Sequence, residues 1–174
     1  MSFHDLLRAQ VRNEFTASQQ YIALAVWFDD QDLPQLAQHF YRQSLEERNH
    51  AMMIVRYFLD NDLPVTIPGV DEVRGEFDGV LEPLELALAQ ERTVTEQIEA
   101  LAKTARAEGN YLGEQFMQWF LKEQVEEVAS MTTLVRVAQR AGTNLFHLED
   151  FIARELGAGE PNDPTAPAAA GGAV

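Results

Sequence analysis

Glu47 and His50 stand three residues apart in a long helical stretch, Leu45-Glu46-Glu47-Arg48-Asn49-His50-Ala51-Met52-Met53. Residues at that spacing share a helix face, so a carboxylate and an imidazole point at one spot. The apolar stripe of the same stretch runs Leu36, Phe40, Gln43, Glu47, His50, Ile54, Phe58, which puts both groups where core side chains belong. A buried carboxylate is costly unless it is paired or bound to a cation. Three other stripes are interrupted in the same way: by Glu14 between Val11 and Ser18, by Glu91 between Leu88 and Thr95, and by Gln124 and Glu127 between Phe120 and Met131. One such glutamate is ordinarily a stripe-edge residue that reaches solvent. Four at matched depth need another explanation.

The depth follows from the turns. Glu14 lies 17 residues before a turn centred near Gln31, and Glu47 lies 16 after it. Glu91 and Glu127 each lie 18 residues from the turn at Gly109. At about 1.5 Å per residue each pair meets roughly 25 Å from its own turn. Four carboxylates and one imidazole then converge at mid-bundle, and no stripe offers Lys or Arg at that level. Repulsion and desolvation among them would be severe without a counter-charge, so a divalent metal is the economical answer. An oxygen-rich set with one imidazole suits iron or manganese over structural zinc or copper. Dinuclear carboxylate sites in four-helix bundles take a single glutamate from each of two helices and Glu-x-x-His from the other two. Here Glu14 and Glu91 are the single residues and Glu47-x-x-His50 is one pair. The second pair is incomplete, because Ser130 stands three positions after Glu127. One metal would be held by Glu14, Glu47 and His50, the other by Glu47 as bridge with Glu91, Glu127 and Gln124.

The positioning elements are long helices: about Phe3 to Phe28, about Asp32 to Asp60, Glu82-Pro83 to about Glu108, and Tyr111 to about Gln139. Ser2, Asp32 and Asn110 are candidate N-caps, and Gly142 ends the fourth helix. From Asp62 to about Leu81 the helical period vanishes, with Pro64, Pro68, Gly69, Gly75 and Gly79 in the segment. Extended chain of that length can traverse a whole helix, so the segment reads as a crossover that lets the third helix run parallel to the second. A short fifth helix, Asn144 to about Leu156, is too short to stand alone and must dock. The fold class is all-α, with one domain over residues 1–156. The tail, residues 157–174, is rich in Ala, Pro and Gly and is expected to be disordered.

The 174 residues carry a formal charge of −15 and no cysteine. The charge repels nucleic acid and anionic membrane and attracts cations. Disulfides, cysteine zinc sites and iron–sulfur clusters are excluded. The longest apolar run, Tyr21 to Phe28, is far too short to span a bilayer, and the N-terminus lacks the pattern of a signal peptide. A cytoplasmic location is expected.

The motifs Asn13-Glu14-Phe15, Glu46-Glu47-Arg48-Asn49-His50, Gln90-Glu91-Arg92 and Glu123-Gln124-Val125-Glu126-Glu127 resemble those of the non-haem bacterial ferritins, in particular the actinobacterial form. The resemblance extends from residue 1 to about 156 and includes the crossover and fifth helix. It implies a ferritin-like bundle in a homo-oligomeric shell of 24 subunits that oxidises Fe(II) with dioxygen and stores ferric mineral. By the same resemblance Glu14, Glu47 and His50 form the first ferroxidase site, and Glu47, Glu91 and Glu127, with Gln124 nearby, the second. Glu46, Glu123 and Glu126 correspond to a weaker third site. Tyr21 and Trp119 match aromatic electron donors, and Glu114 matches a three-fold pore. No haem is expected, because haem-binding relatives carry Met directly after the Glu of Glu-x-x-His, where this chain has Arg48, and Met52 and Met53 are displaced from that position. The alternatives are a DNA-protecting miniferritin, a rubrerythrin-like peroxidase, which needs cysteine, and a helical interaction bundle without metal.

Overall fold

The computed structural model describes residues 1–159 and 162–174. Its elements are α1 (Phe3–Asp30), α2 (Pro34–Asp60), α3 (Leu81–Ala107), α4 (Tyr111–Ala141) and α5 (Leu145–Glu155), with no strand among the described residues. α1 and α2 form one antiparallel hairpin, α3 and α4 another. The helix starts are fixed partly by local capping. Ser2 and Asp5 form a reciprocal capping box on α1, and Asn110 accepts from the Gly113 amide at 2.9 Å on α4. Gly113 is required for a further reason: a Cβ there would lie 2.4 Å from the Phe3 ring, where the first turn of α4 meets α1.

α2 departs from the sequence expectation. Asp32 does not cap it; that residue turns the chain in the left-handed region, at φ 56°, and Leu33 at the cap position offers no side-chain acceptor. The orphan amides are instead met from outside. Glu149 of α5 accepts from the Gln35 and Leu36 amides, both at 3.0 Å. A carboxylate at a helix N-terminus satisfies donors and complements the helix dipole, so this contact both starts α2 and docks α5. Leu148 and Ile152 complete the docking from the buried face of α5. Glu108, at the end of α3, does the same for α1, accepting from the Phe3 amide at 3.0 Å.

The crossover lies along α1. Arg8 donates to the Pro64 carbonyl at 3.1 Å, Arg12 pairs with Asp71, Thr16 accepts from the Asp71 amide, and Gln20 both donates to and accepts from the Arg74 backbone. Trp27 then meets Phe77 with ring centroids 5.6 Å apart. Partners at positions 8, 12, 16, 20 and 27 carry the chain from one end of α1 to the other, so α3 starts level with α2 and runs parallel to it.

Among the described residues the tail, expected to be disordered, makes hydrogen bonds to the bundle; residues 160 and 161 lie outside the described residues. Asp163 accepts from Trp119 Nε1 at 3.1 Å and from Lys122 at 3.0 Å. The Ala170 amide donates to the Met52 carbonyl, and the Val174 backbone pairs with the Asn49 side chain. The tail has no apolar period to reveal this. It is fixed by backbone bonds and one carboxylate, on a chain whose prolines lower the entropy of ordering.

Replacing Glu149 by Ala is expected to destabilise the protein by about 1–2 kcal/mol, as loss of a helix cap does, and to speed hydrogen exchange at the Gln35 and Leu36 amides. Unchanged exchange there would contradict the capping role.

Candidate metal centre

The core divides into two apolar halves. Tyr21, Leu24, Phe28, Leu36, Phe40, Leu84, Met131 and Leu134 fill the half toward the α1–α2 turn. Phe3, Leu7, Val11, Ile54, Phe58, Val94, Ile98 and Phe120 fill the other. Between them lies a polar layer: Glu14, Glu47, His50, Glu91, Gln124 and Glu127 are all at most 4% exposed. The four glutamates come one from each long helix, at the common depth that counting from the turns predicts.

Within the layer Glu14, Glu47 and His50 each offer a ligand atom within 4.8 Å of the others. His50 Nδ1 lies 3.2 Å from Glu47 Oε2, and its ring packs edge-on against Trp119 and Phe120, at 5.5 and 5.8 Å. On the opposite side the Tyr21 hydroxyl donates to Glu91. Gln124 hydrogen-bonds to Glu91 as well, while its Oε1 accepts from Thr95 at 2.9 Å. Glu14 Oε2, Glu47 Oε1 and Glu91 Oε2 are buried without any hydrogen-bond partner. Three orphan carboxylate oxygens in one buried layer form a hard, anionic donor set that fits a divalent or trivalent cation of the iron or manganese type.

The electrostatics agree. Burial, then the facing Glu91 and Glu14, push the Glu47 carboxyl well above the usual carboxylate range. Burial, then Glu91, Glu47 and Glu46, do the same to Glu127, partly offset by His50. Glu91 is raised mainly by burial and less strongly, because Tyr21 and Gln124 hydrogen-bond to its charged form. Burial, followed by Glu91, drives the Tyr21 phenol far upward, so it remains a donor.

Glu123 is buried, Glu46 and Glu126 are progressively more exposed, and all three line a cavity beside the layer rather than the layer itself. Trp119 packs on His50 without reaching the carboxylates by any hydrogen bond of its own; its indole N–H goes to Asp163. Glu114 pairs with Arg106 at 2.6 Å at the start of α4. Gln10 was not anticipated: it donates to Glu14 Oε1 at 2.8 Å and to Gln97 at 3.1 Å, and accepts from Asn13. Its one sequence signal is a polar residue a turn before Glu14. Thr95 was visible on its stripe but not as a partner of Gln124.

A four-helix bundle with a long crossover, an end-docked fifth helix and a one-imidazole carboxylate centre at mid-height has the architecture of ferritin. The chain belongs to the ferritin-like family: residues 4–141 match the Ferritin-like domain. It is 69% identical over 172 residues to Ferritin BfrB of Mycolicibacterium smegmatis, covering 99% of this chain and 94% of that protein. It is 64% identical over 170 residues to Ferritin BfrB of Mycobacterium tuberculosis, covering 98% and 93%. The bacterial non-heme ferritin of Staphylococcus saprophyticus is 32% identical over 156 residues, covering 87% and 93%. Among solved structures, an open pore ferritin from the archaeon Archaeoglobus fulgidus superposes with a TM-score of 0.84 at 26% identity, over 88% of this chain and 96% of that one.

In metal-free protein, Glu47 and Glu127 hold protons in the folded state at pH values where the unfolded chain has lost them. Stability then falls as pH rises. Above about pH 6.5 the buried His39, held near 4 by burial and then Arg42, no longer opposes this trend. The Tm of metal-free protein is therefore expected to fall as pH rises above about 6.5. Replacing Glu47 by Gln should flatten the drop and raise the Tm at pH 8 by several degrees, about 2 kcal/mol. Calorimetry of both proteins tests this, and a pH-independent Tm in the wild type would contradict it.

Proposed function

We propose that this protein is an iron-storage ferroxidase: it oxidises Fe(II) with dioxygen at a dinuclear centre and retains the ferric product in a shell of 24 subunits. The observation that carries this reading is the set of orphan oxygens on Glu14, Glu47 and Glu91 in a layer that holds no Lys or Arg. Iron is the substrate. One Fe(II) is bound by Glu14, Glu47 and His50, the other by Glu47 in bridging position with Glu91, Glu127 and Gln124. Each iron gives up one electron to dioxygen. The anionic oxygen donors favour the ferric product. Tyr21, hydrogen-bonded to Glu91, stands where an aromatic could supply a further electron. Glu46, Glu123 and Glu126 take a third, weaker iron.

His50 is the only imidazole of the layer, so the two sites are unequal, which suits a substrate in transit better than a permanently bound pair. Ile22 and Val26 on α1, Ile67 and Val70 on the crossover, and Phe146 on α5 are exposed apolar residues, as subunit contacts of a shell require. No described helix is long and apolar enough to cross a membrane, and a cytoplasmic shell without haem completes the reading. The names of the relatives support storage; the centre supports oxidation.

The test is aerobic Fe(II) addition to metal-free protein, with ferric absorbance and particle size recorded. The wild type should oxidise iron far faster than buffer and run as a shell. His50→Ala and Glu47→Ala should each lose at least about 100-fold in initial rate, at or beyond the upper end of what loss of an outer-sphere partner costs, while keeping the shell. Full activity in both variants, or a monomeric wild type, would overturn the proposal.

A further inference from the structure

Gln10 is 2% exposed on α1, one turn before Glu14, and belongs to neither of the proposed metal positions. Both its amide protons and its oxygen are engaged. Nε2 donates to Glu14 Oε1 at 2.8 Å and to Gln97 Oε1 on α3 at 3.1 Å, and Oε1 accepts from Asn13 Nδ2 at 2.9 Å. An ionised carboxylate only accepts, so the amide has one workable orientation: turned over, its oxygen would face Glu14 Oε1. Asn13 and Gln97 in turn line a groove of about 330 Å³ on the α1–α3 side of the bundle. Gln10 therefore ties the buried carboxylate of α1 to groups at the outer surface.

The two oxygens of Glu14 are made unequal by this contact. Oε1 carries a hydrogen bond, whereas Oε2 is buried with no hydrogen-bond partner. Glu91, the single glutamate of α3, is divided in the same way: Tyr21 donates to Oε1, and Oε2 is bare. A hydrogen bond occupies a lone pair and draws charge from the oxygen that accepts it, which makes Oε1 the poorer metal ligand of the two. The donor is also neutral. A lysine or arginine in its place would hold the same oxygen but would cancel the negative charge on which cation binding in this layer depends. An amide fixes the carboxylate without competing with the ion.

We propose that Gln10 is a positioning residue that restricts Glu14 to one-oxygen ligation through Oε2. With both oxygens free, Glu14 could chelate, and the protein would fill one more position on the ion. With Oε1 held, the ion bound by Glu14, Glu47 and His50 keeps that position open, as catalytic zinc sites do and structural ones do not. Asn13 and Gln97 act on Glu14 only through Gln10. The use of an open position by dioxygen rests on the ferroxidase reading; the ligation mode does not.

Redox-inert Zn(II), soaked into crystals of the assembled protein, tests the ligation mode directly. In the wild type Glu14 is expected to meet the ion through Oε2 alone, with Oε1 still on Gln10. In Gln10→Leu, which keeps the bulk but cannot donate, both Glu14 oxygens are expected on the ion. Gln10→Asn keeps the amide but falls short of Glu14, and should give the same result if the leucine variant does not assemble. Kinetics add a second readout. The maximal rate of Fe(II) oxidation should fall about 10-fold in Gln10→Leu, the lower end of what loss of an outer-sphere partner costs, while the half-saturating Fe(II) concentration does not rise. A chelating Glu14 in the wild type, one-oxygen ligation that survives the substitutions, or a higher half-saturating concentration overturns the role. Zn(II) ligation involves no dioxygen, so one-oxygen ligation in a wild type that fails to oxidise iron would overturn the ferroxidase reading alone.

Discussion

Four carboxylates buried at one level, with no Lys or Arg to meet them, are the constraint on which the rest of this molecule depends. In a continuous apolar core they would not be tolerated in ionised form. Here they form a slab between two apolar halves, so the helices are held together above and below a layer that, unliganded, works against folding. The elevated carboxyls of Glu47 and Glu127 express that opposition. On the proposed reading the same feature strengthens cation binding, because a bound metal removes a penalty as well as forming bonds.

A slab of this kind functions only if the helices cannot slide, since one helical residue moves a carboxylate by about 1.5 Å. The contacts that prevent sliding are at the ends and along the outside. Glu149 and Glu108 cap the starts of α2 and α1 from other elements, tying axial position to tertiary structure. The crossover bonds to α1 about every turn from Arg8 to Gln20. Within the slab, Tyr21, Gln124, Thr95 and Gln10 hold individual oxygens, leaving only selected lone pairs for metal.

The elements, the parallel run of α3 and the depth of Glu14, Glu47, Glu91 and Glu127 were legible because each follows from period and length, which are local properties of the chain. The crossover was legible from its lost period and its reach. Gln10 was not, because a polar residue on a stripe acquires meaning only when the neighbouring helix supplies Gln97 and its own helix supplies Glu14. Asp32 looked like a cap by residue type; the backbone turns left-handed there and a carboxylate more than a hundred residues away takes the role. The tail was read from composition, which reports whether a segment can form its own core. It does not report whether another surface offers hydrogen bonds, as Trp119, Asn49 and Met52 do.

The asymmetry of the slab links it to the space beside it. On the α2 side the His50 ring packs edge-on against the adjacent Trp119 and Phe120 rings, so the first position of the proposed centre carries an oriented imidazole. On the α4 side Ser130 stands where a second imidazole would complete the pair, and it faces the cavity rather than the slab. The second position of the proposed centre thus relies on carboxylates. On the proposed ferroxidase reading, a donor set that weakens from the first position to the second binds the two irons unequally. A symmetric pair of Glu-x-x-His motifs would hold both metals alike.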